Sequence, residues 1–292
     1  MPTMTRQLWN ETSLSERLGG EGYAWFVDRA TKRIAVCTVC GGTGQVEKEP
    51  LKGGGAVYAR RQNCPYCNRY VSRLEEFTFS YFNNVPATYR KHTLSQLKPY
   101  EGTKAAVTLE RQQAILDMLK AEPESGYVFF GPPHAGKTAW TTALYISNLY
   151  RYYMGNGSME PTDREKTRGK VAVWRTSAKK LLDQHTEYSM KQFDKDEDGT
   201  YITMEPEVTA GKIHKYRKMG VRSKLFLEEI DKINMTDARS NNLFEIIDAL
   251  HEEEGIIVLN SNLRPEEFTM RFGEQFTWRL GERSKVINLF EK

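Results

Sequence analysis

The hydrophobic pattern divides the larger part of the chain into short apolar runs and longer segments of helical periodicity. The runs lie at 127–130, 171–175, 225–231, 256–259 and 286–290, and the helix-like segments at 71–82, 108–119, 139–152, 177–193 and 241–254. Strands that alternate with helices predict an α/β fold with a mainly parallel sheet flanked by helices, and a site at the carboxyl ends of the strands. In the segment 108–119, the expected apolar side is Leu109, Ile115, Leu116 and Leu119.

The first apolar run leads directly into a glycine-rich segment with the pattern G-x-x-x-x-G-K-T. Its residues are Gly131, Pro132, Pro133, His134, Ala135, Gly136, Lys137 and Thr138. A strand before this pattern and a helix after it are the context that a phosphate-binding P-loop requires. Glycines let backbone N–H groups close around phosphate oxygens, and the helix start directs its positive end at the same anion. We therefore predict a nucleotide site, with Lys137 on the β- and γ-phosphates and Thr138 on Mg²⁺.

One residue of this loop is unusual, because His134 stands where many such loops carry glycine. We expect the loop to tolerate this side chain if the residue has a negative φ. A direct phosphate contact from His134 is one interpretation, and an exposed bystander is the favoured one.

The run at 225–231 ends in acidic residues, as the metal-side strand of a nucleotide hydrolase does. We assign Glu228 to the Mg²⁺ side and Glu229 to the general base that polarises the attacking water. The alternative is an ordinary strand end with solvated acids. A polar residue at the tip of the next strand, in the run from Asn260 to Asn262, could hold the attacking water against the γ-phosphate.

The four cysteines of the chain form two C-x-x-C pairs, Cys37 with Cys40 and Cys64 with Cys67. Four thiolates in a tetrahedral array suit Zn²⁺, so we predict a zinc ribbon over residues 34–70. A glycine after the second cysteine lets backbone N–H groups turn toward sulfur. Free buried cysteines or a redox pair are the alternatives.

Charge is distributed unevenly, although the net charge of the 292 residues is only +4. The stretch between Gly211 and Lys224 carries six cations and no acid, with Tyr216 among them. Basic residues with an aromatic suit a single-stranded nucleic acid, and a solvated basic face is an equally good interpretation.

No apolar run approaches the ~18 residues of a membrane span, and the N-terminal residues contain no apolar signal region, so we expect a cytoplasmic protein without a membrane partner.

An acidic segment just before this stretch matches the EF-hand calcium pattern, with ligands at Asp194, Asp196, Asp198 and Glu205. Pro206 disrupts the helix that should follow, and the sequence contains no second pattern to pair with it. The favoured interpretation is a solvated acidic loop.

Taken together, these motifs resemble the bacterial and phage replicative-helicase loaders of the AAA+ ATPase superfamily. The resemblance covers residues 35–290 and rests on the first cysteine pair with its glycines, VPATYR at 85–90, GPPHAGKT, LFLEEID, LNSNL at 259–263 with PEEF after it, and RFGE to WRL at 271–280.

The resemblance implies a zinc-bearing region 1–75 that grips a replicative DNA helicase, a linker 76–104, and an AAA+ domain 105–292 without a C-terminal helical lid. It implies that this domain binds ATP, Mg²⁺ and single-stranded DNA, with an ATP-dependent homo-oligomer as a further possibility. Asn262 matches the sensor asparagine. Arg279 matches the late arginine that acts on ATP, either within the subunit or from a neighbouring one.

Two positions depart from the family pattern, since Glu228 stands where aspartate is usual and His134 where glycine is usual. Both departures predict slow hydrolysis. The Glu228 departure supports one alternative to helicase loading, an adaptor that uses ATP as a switch and hydrolyses little. A second alternative is a transposition helper ATPase that binds target DNA, from a family that shares the same core.

Overall fold

The computed structural model describes residues 11–47, 61–100, 107–154, 171–191 and 205–290. The chain divides into two compact units, residues 1–87 with 153–168 and residues 88–152 with 169–292. The boundary predicted at residue 75 falls inside a helix, Pro65–Asn84, so this helix also occupies the first part of the predicted linker. The calcium-loop pattern lies outside the described residues except for Glu205.

In residues 11–47 and 61–84, the N-terminal unit forms two helices and a short antiparallel pair of strands. In chain order these are α1 (Glu11–Ala35), β1 (Gln45–Glu47), β2 (Arg61–Asn63) and α2 (Pro65–Asn84). Helix α1 changes direction at Gly19, whose φ of 69° carries no Cβ penalty in glycine. Apolar side chains of both helices pack in one cluster with the four cysteines: Leu18, Phe26, Ala30, Ile34, Val71 and Leu74.

The second unit is built from alternating strands and helices. In chain order they are α3 (Leu109–Ala121), β3 (Gly126–Phe130), α4 (Lys137–Met154), β4 (Val171–Ser177), α5 (Ala178–Lys191), α6 (Ala210–Lys218), β5 (Arg222–Glu228), α7 (Asp237–Glu252), β6 (Ile256–Ser261), α8 (Pro265–Phe272), α9 (Glu274–Arg283) and β7 (Ser284–Asn288), with 3-10 turns at Ala87–Tyr89 and Ile230–Lys232. Helices α3, α6 and α7 each follow a threonine whose hydroxyl accepts a first-turn N–H that would otherwise lack a partner.

The five strands of this unit form one parallel sheet in the order β4-β5-β6-β3-β7. All residues of β3 are buried, as expected for a central strand covered on both faces. Phe130 pairs with Ser261 of β6 and with Asn288 of β7, so three neighbouring strands end at the same level. The P-loop therefore begins beside the tip of β6. The predicted fold class, a P-loop NTPase core with a mainly parallel sheet flanked by helices, is confirmed.

Helix α3 buries a polar residue where an apolar one was expected. Leu109 is 44% exposed, contrary to the prediction, because it lies at the first helical position. Gln112 is buried instead, and its amide satisfies the backbone of Tyr100 and Val107. The other residues predicted for this side are buried: Ile115, Leu116 and Leu119. In the part of the chain that the structure describes, no helix is both long and apolar enough to span a membrane.

Lys224 is fully buried at the start of β5, so the prediction that the basic stretch presents it to nucleic acid is wrong. Its ammonium lies 3.1 Å from the carbonyl of Pro123, 3.0 Å from that of Ser125 and 3.3 Å from Oδ1 of Asn148. Three oxygen acceptors match the three N–H donors of the group. Burial lowers the pKa of Lys224 to about 7.

The free energy of unfolding of the wild-type chain should rise relative to that of Lys224→Met between about pH 7 and 10.5, the native and ordinary pKa values of this lysine. In this window the unfolded state binds more protons than the native state, and stability then increases with pH. The difference in slope should approach about 1.4 kcal/mol per pH unit. Urea unfolding of both proteins across this range measures it.

Lys215→Met, at an exposed lysine of α6, is the matched control and should follow the wild-type curve. Parallel curves for wild type and Lys224→Met would contradict the depressed pKa.

Candidate nucleotide site and cysteine cluster

The predicted phosphate loop connects the buried end of β3 to the first turn of α4. Gly131 donates its N–H to the Ser261 carbonyl of β6 at 3.2 Å, which holds the loop against the neighbouring strand tip. Thr138 is half-buried in the first helical turn, where a hydroxyl can face a bound metal. Gly131 and Ala135 are buried, Pro132 and Gly136 are half-buried, and Pro133 and His134 are exposed.

His134 adopts a φ of 65°, so the condition under which we expect the loop to tolerate this side chain without strain, a negative φ, is not met. This left-handed conformation explains why glycine is usual there, because other residues pay a steric cost for it. The side chain is exposed, so packing does not offset the cost.

Lys137 turns back onto its own loop. Its ammonium donates to the carbonyls of Gly131 at 2.6 Å and Pro132 at 2.8 Å, and to Oδ1 of Asn262 at 3.0 Å. Burial lowers the pKa of Lys137 to about 8, and the charge of Asp231 opposes that shift. Phosphate oxygens of a nucleotide would replace these acceptors when Lys137 reaches them.

Asn262 lies at the end of β6 between the P-loop and the turn that follows β5. Its Nδ2 donates to Oδ2 of Asp231 at 2.9 Å, and its backbone N–H donates to Oδ1 of the same carboxylate at 3.2 Å. Sequence reasoning gave Asp231 no role, although it belongs to the LFLEEID run. The structure brings Lys137, Asn262 and Asp231 together at the carboxyl edge of the sheet.

Glu228, expected on the metal side, pairs with a buried arginine that sequence reasoning missed. Oε1 of Glu228 lies 2.7 Å from Arg175 of β4, whose side chain is 3% exposed. The same guanidinium nitrogen donates to the Thr142 hydroxyl of α4 at 2.8 Å. A guanidinium bound to this oxygen competes with Mg²⁺ for it, so Glu228 would ligate the metal through its other oxygen, Oε2, as long as the pair stays closed.

Glu229, expected as the general base, is exposed and has a φ of 57°. Its backbone N–H donates to Oδ1 of Asn260 at 3.1 Å, which ties the turn to β6. Its carboxylate pairs with Lys232 and raises the pKa of that lysine. The base role of Glu229 stays a prediction, because this pairing directs the carboxylate along its own turn.

Arg279 of α9 faces helix α7. Its guanidinium pairs with Asp248 and lies 4.8 Å from the centre of the Phe244 ring. These contacts do not connect Arg279 to Lys137, Asn262 or Asp231. Its action on ATP stays a prediction.

Three of the six cations of the basic stretch, together with His214, pair with acids of the same unit. Distances are 3.5 Å for Lys212–Glu205, 2.7 Å for His214–Glu253, 2.9 Å for Arg217–Glu254 and 3.7 Å for Arg222–Glu254. Tyr216 packs edge-on against Trp174 at 5.3 Å, which opposes the hypothesis of a ring free to stack on a base. The exposed lysines Lys215 and Lys218 remain candidates for a phosphate backbone.

The four cysteines lie together with all sulfur atoms within 4.8 Å of one another. Sγ–Sγ distances are 4.0 Å for Cys37–Cys64 and 3.7 Å for Cys40–Cys67. A tetrahedral Zn²⁺ with bonds of about 2.3 Å places its sulfurs about 3.8 Å apart, so the cluster fits this metal. Four protein ligands leave no open position, which is typical of a structural site.

The two cysteine pairs have different local structures. Gly44 donates its N–H to Sγ of Cys40 at 3.2 Å, in the turn before β1. Cys64 precedes α2 and Cys67 lies in its first turn. The second pair is therefore carried by a helix start, and its partners come from the loop after α1.

Comparison with known proteins finds structural likenesses alone, because no family model and no curated protein matches the chain. The chain is similar to the DnaC helicase loader at 15% identity, over 70% of this chain and 99% of that one, with a TM-score of 0.47.

It is similar to AMPPCP-bound DnaA from Aquifex aeolicus at 16% identity, over 68% of this chain and 50% of that one, with a TM-score of 0.41. It is also similar to Cdc6p from Pyrobaculum aerophilum at 15% identity, over 70% of this chain and 49% of that one, with a TM-score of 0.33. The chain spans about half the length of these DnaA and Cdc6p chains. At these identities and scores, the likenesses assign no activity to it.

His134→Gly should raise the free energy of unfolding by about 1 kcal/mol, because glycine adopts the left-handed conformation without strain. Ala135→Gly is the matched control one residue later, and it should lower the free energy by about 0.5–1 kcal/mol. Urea unfolding of the three proteins measures both changes. A loss of stability in His134→Gly would contradict the strain.

Metal analysis of the purified chain should give about one Zn²⁺ per chain. Cys64→Ser should lose most of this metal, since its sulfur is fully buried among the other three. Thr38→Ser, at an exposed position between Cys37 and Cys40, is the control and should retain it. A wild-type protein that is folded but free of metal would rule out the zinc site.

Proposed function

We propose that the chain is an ATPase that delivers a replicative DNA helicase onto single-stranded DNA. ATP with Mg²⁺ binds the P-loop, and the zinc-bearing N-terminal unit grips the helicase. In this proposal Lys137 and Thr138 hold the phosphates and the metal, Glu229 activates water, and Asn262 senses the γ-phosphate.

The observation that supports the ATPase part is the convergence of its groups at one sheet edge. Lys137 follows β3, and Asn262 follows β6. Glu228 is the last residue of β5, and Asp231 lies in the turn after it. Ligands of parallel α/β sheets bind outside the carboxyl ends of the strands, so a nucleotide there would meet all three loops. The delivery role is supported by the sequence motifs shared with helicase loaders. Arg279 would act on ATP, either within its own subunit or from a neighbouring subunit of a homo-oligomer.

A nucleotide switch with little turnover is the second candidate, and one observation favours it. Both acids of the strand end already have cationic partners, Arg175 for Glu228 and Lys232 for Glu229. Each pair occupies one carboxylate oxygen and weakens the attraction of the other oxygen for metal or for a proton of water. Binding without rapid hydrolysis would follow if the pairs persist in the nucleotide complex.

Co-purification of the full-length chain with the replicative helicase of its own host or phage, in ATP and in ADP, tests the proposal. We expect a complex that responds to nucleotide and is lost in Cys64→Ser but not in Thr38→Ser. This result would mean that the complex with the helicase depends on the zinc-bound N-terminal unit. Absence of a complex under both nucleotides would contradict the loading role.

ATP binding and turnover, with and without single-stranded DNA, separate the ATPase from the switch. Lys137→Ala should lose ATP binding, because the loop then lacks the buried ammonium that would meet the phosphates. Glu229→Gln should bind ATP and stop hydrolysis. Wild-type binding without turnover in either condition would favour the switch.

A further inference from the structure

We propose that Asp231 is a positioning residue for hydrolysis, which orients the Asn262 amide so that its carbonyl oxygen, and not its nitrogen, faces the P-loop. This role rests on the proposed function, since it concerns the same ATP site. Neither the P-loop pattern nor the paired glutamates assign a task to this carboxylate.

Both oxygens of Asp231 are used by one residue. Oδ2 accepts from the side-chain Nδ2 of Asn262 at 2.9 Å, and Oδ1 accepts from its backbone N–H at 3.2 Å. On the other side of the amide, Oδ1 of Asn262 accepts from the Lys137 ammonium at 3.0 Å. A carboxylate can only accept and an ammonium can only donate, so together they fix which end of the amide faces which neighbour.

The turn that carries Asp231 is fixed by buried apolar side chains and by hydrogen bonds to its backbone. Ile230 and Ile233, on either side of it, are 0% and 1% exposed. Arg271 of α8 donates to the backbone carbonyl of Asp231 at 2.9 Å and to that of Ile233. The two buried isoleucines and the hydrogen bonds from Arg271 restrict the backbone conformation of this turn, and so the position of the Asp231 carboxylate. A positioning residue needs such a fixed backbone.

Glu229 lacks this support, although it lies two residues earlier on the same turn. Its side chain is 53% exposed and its partner Lys232 is 58% exposed. An exposed pair of this kind contributes little to orientation. Of the two acids after Glu228, Asp231 is therefore the one that is built into the site.

The orientation has a chemical consequence for the bound state. When phosphates attract the Lys137 ammonium, Oδ1 of Asn262 loses its donor but stays directed at the P-loop. An oxygen acceptor at that place can accept a hydrogen bond from the attacking water and align the lone pair of the water with the γ-phosphate, while Glu229 takes the proton. Asp231 contributes by preventing the amide from turning its nitrogen to that place.

Hydrogen exchange in the nucleotide-free, full-length chain tests the geometry directly. The backbone N–H of Asn262 should exchange about tenfold faster in Asp231→Ala, because its acceptor is removed. Asp237→Ala, at an exposed acid in the first turn of α7, is the matched control and should leave this rate unchanged. An unchanged Asn262 rate in Asp231→Ala would overturn the proposal.

Steady-state ATP turnover tests the role. Asp231→Asn keeps the shape but places a second amide against Nδ2 of Asn262, so kcat should fall about ten- to a hundredfold with KM nearly unchanged. The double variant Asp231→Asn/Asn262→Ala should be no slower than Asn262→Ala alone, because residues that act as one unit are not additive. If the fold-reductions in kcat of the two single variants multiply in the double variant, the two residues act independently and the proposal is overturned.

The experiments distinguish failure of the proposed ATPase function from failure of the proposed role of Asp231. A wild-type chain that binds no ATP would remove the ATPase proposal, while the exchange measurement still decides whether Asp231 holds Asn262. A wild-type chain with normal turnover and no response to Asp231→Asn would remove the positioning role and leave the ATPase intact.

Discussion

The candidate site depends on the burial of one ammonium group. Lys137 is only 7% exposed, and burial by itself disfavours its charge. Oxygen acceptors must therefore converge on it, and they come from the loop of β3 and from the end of β6. The level ends of the parallel strands make that convergence possible, since loops that leave one edge at equal height can share a single cation.

Among the described residues, two further basic side chains are buried, both on strands of the sheet, and their hydrogen-bond partners differ in kind. Lys224 at the start of β5 is surrounded by carbonyl and amide oxygens, whereas Arg175 in β4 meets a carboxylate and a hydroxyl. Breaking one partner of such a set leaves a charge without compensation, which costs more than the contact gains. These positions therefore specify how the strands and helices fit, in addition to any role at the nucleotide site.

Local patterns in the sequence predicted the α/β class and the phosphate loop, because each depends on neighbours within a few residues. The four-cysteine cluster joins residues 27 positions apart, and it was predicted because each of its two halves is a C-x-x-C motif. The pairings of Arg175 with Glu228 and of Asp231 with Asn262 join residues from different strands, and spacing along the chain contains no signal for them. The same reason explains the error at Lys224: its burial depends on a turn about a hundred residues earlier in the chain. The left-handed backbone angle of His134 could not be predicted, because a glycine-rich loop gives no local indication of which position is left-handed.

The contact between Arg175 and Glu228 also limits which substitutions positions 175 and 228 can accept. An aspartate at position 228 would withdraw the carboxylate by one methylene group from a guanidinium that lies 2.7 Å away and is almost fully buried. The arginine would then remain as a desolvated charge, so a shorter acid becomes tolerable only after position 175 has lost its cation. The glutamate that stands in place of the usual aspartate is thus half of a compensated pair, and the two positions should change together over evolutionary time.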